Sequence, residues 1–284
     1  TQEFVIRCRD ERTECRRRDV RHVAQQVDVF RVVGEFIVTD QGVVVFDTGP
    51  SRRYGKAMLE AIREISDKPI AHVFNSHHHP DHFLGNQAFE EGTLWSLPKT
   101  GILIAQNGDA FAENMYRLTG DWMRGTEVKL PDRPLESASM TIGGHTLKFF
   151  SLHGHTNADL AMLDETTGVL FASDIVFFQR ALTTPHTPGL DVWMKDLKTL
   201  RTTDYKVLVP GHGPVVRDHR AIDQTLNYLS WLDQLMTESA NAGRTMTEVM
   251  NTPVPGQFSE VQLSQAELAR TVVHLYPKYE EAAF

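Results

Sequence analysis

Histidine and aspartate crowd one short stretch of this 284-residue chain, Ser76-His77-His78-His79-Pro80-Asp81-His82, which carries the pattern His77-x-His79-x-Asp81-His82. Neutral imidazole nitrogens and carboxylate oxygens are ligands that suit zinc and related transition metals. The stretch follows an apolar run (Ile70, Val73, Phe74) that reads as a buried strand. A tight turn at a strand end can aim several donors at one point. With the backbone extended, His77 and His79 face the same way and His78 points elsewhere. Pro80 fixes its own φ and restricts His79. The loop is thus shaped to serve two metals, one through His77 and His79, the other through Asp81 and His82. An expression tag would lie at a terminus and carry no aspartate at a fixed place.

A site for two metals needs more donors than one loop supplies, and three later places offer them. His155 follows a strand-like run (Leu147, Phe149, Leu152), Asp174 closes Val169-Leu170-Phe171-Ala172-Ser173, and His212 lies in Val209-Pro210-Gly211-His212-Gly213. Each donor comes at or just beyond the C-terminal end of a short apolar strand, where open α/β folds place their chemistry. Gly154, Gly211 and Gly213 let the backbone turn sharply behind the donors. Singly these residues are weak signals; in this order, with the histidine loop, they are strong.

In this combination the chain resembles the metallo-β-lactamase-fold hydrolases. Five motifs match in order: Phe46-Asp47-Thr48-Gly49, the histidine loop, His155, Asp174 and His212, over roughly residues 29 to 216. The resemblance implies an αββα sandwich, two mixed sheets flanked by helices. It implies a first metal on His77, His79 and His155, a second on Asp81, His82 and His212, and Asp174 bridging both. Asp47 and Thr156 would stand behind the ligands, Asp47 holding the histidine loop. Antibiotic-hydrolysing members of one large subclass carry Cys where this chain has Asp174, and flavodiiron members carry Glu where it has His79. The pattern is therefore that of the general hydrolase branch. The stretches Val45 to Gly55, His79 to Phe89 and Ser173 to Arg180 are similar to the quinoprotein relay system zinc metallohydrolases, bacterial proteins linked to sulfur-oxidation gene clusters.

Two zinc ions held in this way would bridge a water and lower its pKa, giving hydroxide near neutral pH. The expected reaction is attack on an ester, thioester, lactone or lactam carbonyl of a small molecule, with Asp81 orienting the nucleophile or shuttling its proton. No G-x-S-x-G stands in the chain to supply a serine nucleophile. Two alternatives stay open: a mononuclear-iron persulfide dioxygenase on the same fold, since imidazole suits iron as well as zinc, and a β-lactamase-like enzyme. Substrate contacts are expected from the segment after Asp174, with Phe178, Arg180 and His186; Arg180 could hold a carboxylate with its two-pronged guanidinium.

The bulk numbers limit the partners. A net charge of −8 argues against nucleic acid, whose phosphates demand a basic face. No apolar stretch reaches membrane-spanning length; oligomeric state is not legible. Thr1 in place of Met suits removal of a leader and export to the periplasm, with a cytoplasmic location still open. Cys8 and Cys15 could pair in an oxidising compartment, and seven arginines between residues 7 and 21 alternate with acids as a self-neutralising segment. Residues 1–28 are expected to form an extension and residues 29–284 a single domain, including the C-terminal helices.

Around the donors the pattern predicts a hairpin (29–38 and 43–46), a helix over 54–65 and the strand 70–75. A short helix over 85–89, a strand over 102–105 and a helix over 109–118 follow, then a loop across 119–137. A second hairpin (140–152), strands at 160–163 and 169–172, and helices over 191–200, 220–236 and 267–276 complete the reading. Asp191 is the expected N-cap of the first of these last helices.

Overall fold

The computed structural model describes residues 35–283. Cys8, Cys15, the arginine-rich segment and the start of the first predicted strand lie outside the described residues. The polypeptide forms two five-stranded sheets with helices around them, the αββα class expected.

The first sheet, in the order β1-β2-β3-β4-β5, holds β1 (Glu35–Thr39), β2 (Gly42–Phe46), β3 (Ile70–Asn75), β4 (Leu94–Ser96) and β5 (Arg133–Pro134). β1 and β2 form an antiparallel hairpin with Thr39 opposite Gly42, and the later pairs run parallel. Parallel pairs need crossovers, here α1 (Arg52–Arg63), α2 (Pro80–Phe83) and α3 (Pro98–Thr119). The second sheet, in the order β10-β9-β8-β7-β6, holds β6 (Ser139–Ile142), β7 (His145–Leu152), β8 (Asp159–Asp164), β9 (Val169–Phe177) and β10 (Val207–His212). The remaining helices are α4 (Leu190–Arg201), α5 (Arg220–Asn241), α6 (Met246–Met250) and α7 (Ser264–Ala283). Among the described residues no helix is long and apolar enough to cross a membrane.

Contacts divide the chain into two compact units: the described residues up to 151 with Leu160–Phe171, and Leu152–Asp159 with the residues from Ala172 onward. In the first, β2 is buried along its whole length and its alternate side chains face opposite ways. Val43 and Val45 join Met58, Ile62, Val73 and Leu94 under α1. On the other face Phe46 meets Phe171 of β9 at 5.8 Å, and Phe74 of β3 meets Phe149 of β7 at 5.0 Å. Each of these buried side chains contributes roughly 1.5–3 kcal/mol. In the second unit α5 buries Ile222, Leu229, Leu232 and Met236, and α7 buries Leu268, Val272, Leu275 and Tyr276. Tyr279 of α7 donates a hydrogen bond to Asp233 of α5 at 2.7 Å.

Three local expectations are corrected. The strand expected at 102–105 lies inside α3, which starts at Pro98 in the first turn, where a missing N–H costs nothing. Its buried residues Thr100, Ile104, Gly108 and Met115 recur at helical spacing while Ile102 is exposed, so the apolar pair does not alternate across a sheet. The 119–137 segment contains a short 3₁₀ turn (Gly120–Met123) and β5. Finally, α4 begins one residue before Asp191, with Gly189 at the N-cap and Asp191 in the first turn.

Candidate metal centre

In the first unit the donors stand on the turn from β3 into α2, and buried polar bonds hold that turn. Asn75 and Asn86 exchange side-chain hydrogen bonds at 2.9 and 2.8 Å, and Thr48 Oγ1 donates to Asn86 at 2.9 Å. The backbone N–H of Thr48 donates to His82 O at 2.9 Å. Pro80 occupies the first turn of α2, so the helix starts immediately after His79 and carries Asp81 and His82.

Behind the turn lies Asp47, at the end of β2, with φ 61. Asp and Asn tolerate this left-handed region better than most residues do. The Asp47 carboxylate accepts three hydrogen bonds at 2.7 Å: from Ser76 N, Ser76 Oγ and His82 Nδ1. A carboxylate can only accept, so His82 carries its hydrogen on Nδ1 and its lone pair on Nε2. The single hydroxyl proton of Ser76 goes to Asp47. Its oxygen therefore accepts from His77 Nδ1 at 3.0 Å, which fixes the same tautomer there. Both rings thus point Nε2, the ligating atom, away from Asp47.

The His77 and His79 ligand atoms lie within 4.8 Å of one another, as do those of Asp81 and His82. The Asp81 carboxylate is 3.8 Å from His82 Nε2. His78, expected to point elsewhere, packs its ring 5.9 Å from Phe111 and also brings a nitrogen within 4.8 Å of His79. Glu35, buried in β1, adds to the field. Burial and then the Asp47 charge hold its carboxyl well above the ordinary carboxylate range, and His82 pulls the other way.

In the second unit Asp174 Oδ2 lies 3.3 Å from His155 Nε2 and 3.4 Å from His212 Nε2. Glycine makes this approach available. A Cβ on Gly211 would fall 2.0 Å from Asp174 Oδ1, and one on Gly154 would fall 2.4 Å from Trp193 Cα in α4. The His155 ring rests edge-on against Trp193 at 5.0 Å, and Trp193 Nε1 donates to Ile175 O at 2.9 Å. His212 stacks on Phe177 at 5.1 Å.

Thr156 acts through Asp159: its hydroxyl donates to Oδ1 at 2.6 Å and its amide to Oδ2 at 2.8 Å, while the His155 amide reaches Oδ2 at 3.0 Å. Burial pushes the Asp159 carboxyl up to about 8, against these hydrogen bonds and with help from the Asp174 charge. Of the residues expected to touch substrate, Arg180 donates to Ala181 O at 2.6 Å and lies 3.6 Å from Glu267. Phe178 is buried. His186 is half-buried, its pKa lowered by burial and then by His274 and Arg270.

Each unit therefore gathers its own share of the expected donors. Buried imidazoles and carboxylates of this kind fit zinc or iron(II). The sequence reading missed Ser76, Glu35 and Asp159. A hydroxyl directly before the first histidine was a usable signal for Ser76, and the Thr156-x-x-Asp159 spacing for Asp159.

The profile of the metallo-beta-lactamase superfamily matches residues 36–212, a span that holds Asp47 and every expected ligand. The chain belongs to the metallo-beta-lactamase superfamily. A linear primary-alkylsulfatase from Pseudomonas sp. is 23% identical over 75% of this chain and 48% of its own length, so the chain spans about half of that relative. Among solved structures, a metallo-beta-lactamase family protein from Thermus thermophilus aligns with TM-score 0.63 and 21% identity over 92% of this chain and 93% of its own. A metallo-beta-lactamase from Pontibacter korlensis aligns with TM-score 0.59 and 21% identity over 74% and 94%. A sec-alkyl sulfatase variant aligns with TM-score 0.67 and 19% identity over 86% of this chain and 47% of its own. At these identities the structures show a shared fold.

Proposed function

We propose that the two sets of donors serve one dinuclear zinc centre of a small-molecule hydrolase. His77, His79 and His155 hold the first ion, Asp81, His82 and His212 the second, and Asp174 joins them. The observation that carries this reading is the carboxylate Asp174 Oδ2, nearly equidistant from the Nε2 atoms of His155 and His212, the ligands assigned to different ions. When bound, the ions supply a water activated for attack and polarise the oxygen of the bond to be broken. Asp81 would orient the nucleophile or shuttle its proton. Asp47 and Ser76 keep His82 and His77 in the ligating tautomer, and Asp159 fixes the backbone at His155.

The substrate class favoured by the residues is a carbonyl compound: an ester, thioester, lactone or lactam. A second reading, hydrolysis of a sulfate ester, is favoured by the alkylsulfatase relatives, of which this chain spans about half. The stretches from Val45 to Gly55 and from Ser173 to Arg180 support a place beside the quinoprotein relay system zinc metallohydrolases, and with it export to the periplasm.

Elemental analysis of protein purified without added metal or chelator tests the centre. Close to two zinc per chain is expected, followed by turnover in a panel of esters, thioesters, lactones, β-lactams and alkyl sulfates. One iron per chain with oxygen uptake on persulfides would replace the hydrolase reading.

A further inference from the structure

We propose that the cleft between α1 and the turn Gly120–Met123 binds a small multivalent oxyanion, a phosphate- or sulfate-bearing molecule, apart from the metal centre. The cleft encloses about 650 Å³ and is lined by Arg52, Arg53, Lys56 and Arg124, with Glu60 and Asp121 as its acids. Arg124 is paired with Asp121 at 2.9 Å. Among the described residues no carboxylate lies within ion-pair distance of Arg52, Arg53 or Lys56.

Three local rules oppose this arrangement. Arg52 and Arg53 open α1, where the helix dipole is positive, and the first turn carries no acid. Arg52 and Lys56 stand four residues apart, where like charges repel. The chain as a whole has net charge −8, so four cations on one concavity run against its composition. Local rules broken together mark function, and a bound oxyanion relieves the first two, meeting the positive helix end and the like charges of Arg52 and Lys56.

The walls are already fixed. The Arg52 amide donates to Thr126 Oγ1 at 3.1 Å, tying α1 to the segment after the 3₁₀ turn. The Arg53 guanidinium sits 4.0 Å over the Trp122 ring, which restrains a side chain that otherwise loses much freedom on binding. Guanidinium forks match phosphate and sulfate oxygens two at a time. Glu60 and Asp121 repel an extended polyanion and so select a small ligand.

The test is calorimetric titration of the full chain with m-benzenedisulfonate and with inorganic sulfate, both poor chelators, at roughly 0.15 M salt so that distant charges are screened. Saturable binding is expected. It should weaken at least about tenfold in the double variant Arg52→Gln/Arg53→Gln and persist in His79→Ala, each variant's fold being checked by circular dichroism. Equal affinity in the wild type and the double variant overturns the proposal. So does loss in His79→Ala alone, which puts the anion at the metals. Absence of saturation, or binding to phosphatidylglycerol vesicles but not to the soluble probes, overturns it too.

Discussion

Nδ1 of His82 lies 2.7 Å from Oδ2 of Asp47, thirty-five residues earlier, and the same oxygen accepts the Ser76 hydroxyl at 2.7 Å. One carboxylate thereby sets the proton positions of two imidazoles, His82 directly and His77 through Ser76. The bond to His82 is short and buried, and charge-assisted hydrogen bonds of this kind are about twice as strong as neutral ones.

Asp47→Asn keeps a residue that tolerates φ 61 but removes the charge and one acceptor. Metal affinity is expected to fall about 10–100-fold, read by competition with a chromophoric chelator, while the circular dichroism spectrum stays that of the wild type. Unchanged affinity would mean that Asp47 does not orient the rings.

Ser76→Ala removes the bridge to His77 and leaves the His82 bond in place. The expected loss of metal affinity is roughly tenfold, at the low end for such supporting contacts, with recovery in Ser76→Thr. Wild-type affinity in the alanine variant would contradict the tautomer argument.

Gly211→Ala would put a Cβ 2.0 Å from Asp174 Oδ1 and 2.6 Å from Asp174 N. The carboxylate oxygen could rotate away, but Asp174 N and Ser173 C, both at 2.6 Å, are backbone atoms that cannot swing aside, so β10 or β9 must shift. A loss of about 1–3 kcal/mol is expected, read by urea unfolding, together with a metal content below that of the wild type. Wild-type stability and metal content would show that the strands give way at no cost.

Glu35→Gln tests the buried acid. Its carboxyl is held well above its ordinary value of 4.5, by burial first and by Asp47 second. The folded chain then keeps a proton that the unfolded chain releases. The stability this group contributes is complete below pH 4.5 and falls as pH rises through the window up to the raised folded value. Glutamine cannot ionise, so the unfolding free energy of the metal-free variant should fall less with rising pH than that of the wild type. Parallel pH profiles would remove Glu35 from the balance.

The donors were legible in the sequence because His and Asp at short spacing have few other uses and each followed an apolar run that folds as a strand. Their supports were harder to read. Glu35 acts on Asp47 through space across a hairpin, and Asp159 collects backbone amides, which no residue type announces. The run Ile102 to Ala105 looked like a strand because β-branched residues favour pleated surfaces. Burial spaced at four residues from Thr100 to Gly108 overrode that preference and made a helix of 22 residues. Gly189 displaced Asp191 at the cap of α4, a shift of the size by which helix ends commonly move.

The left-handed backbone of Asp47 narrows what that position accepts in a mutational library. Its φ of 61 admits Gly, Asn and Asp with least strain, whereas three donors converging on one side chain ask for a carboxylate. Aspartate alone satisfies both filters. Saturation mutagenesis at this codon should return a single residue under metal-limited selection, and Asn and Gly beside it when folding alone is selected.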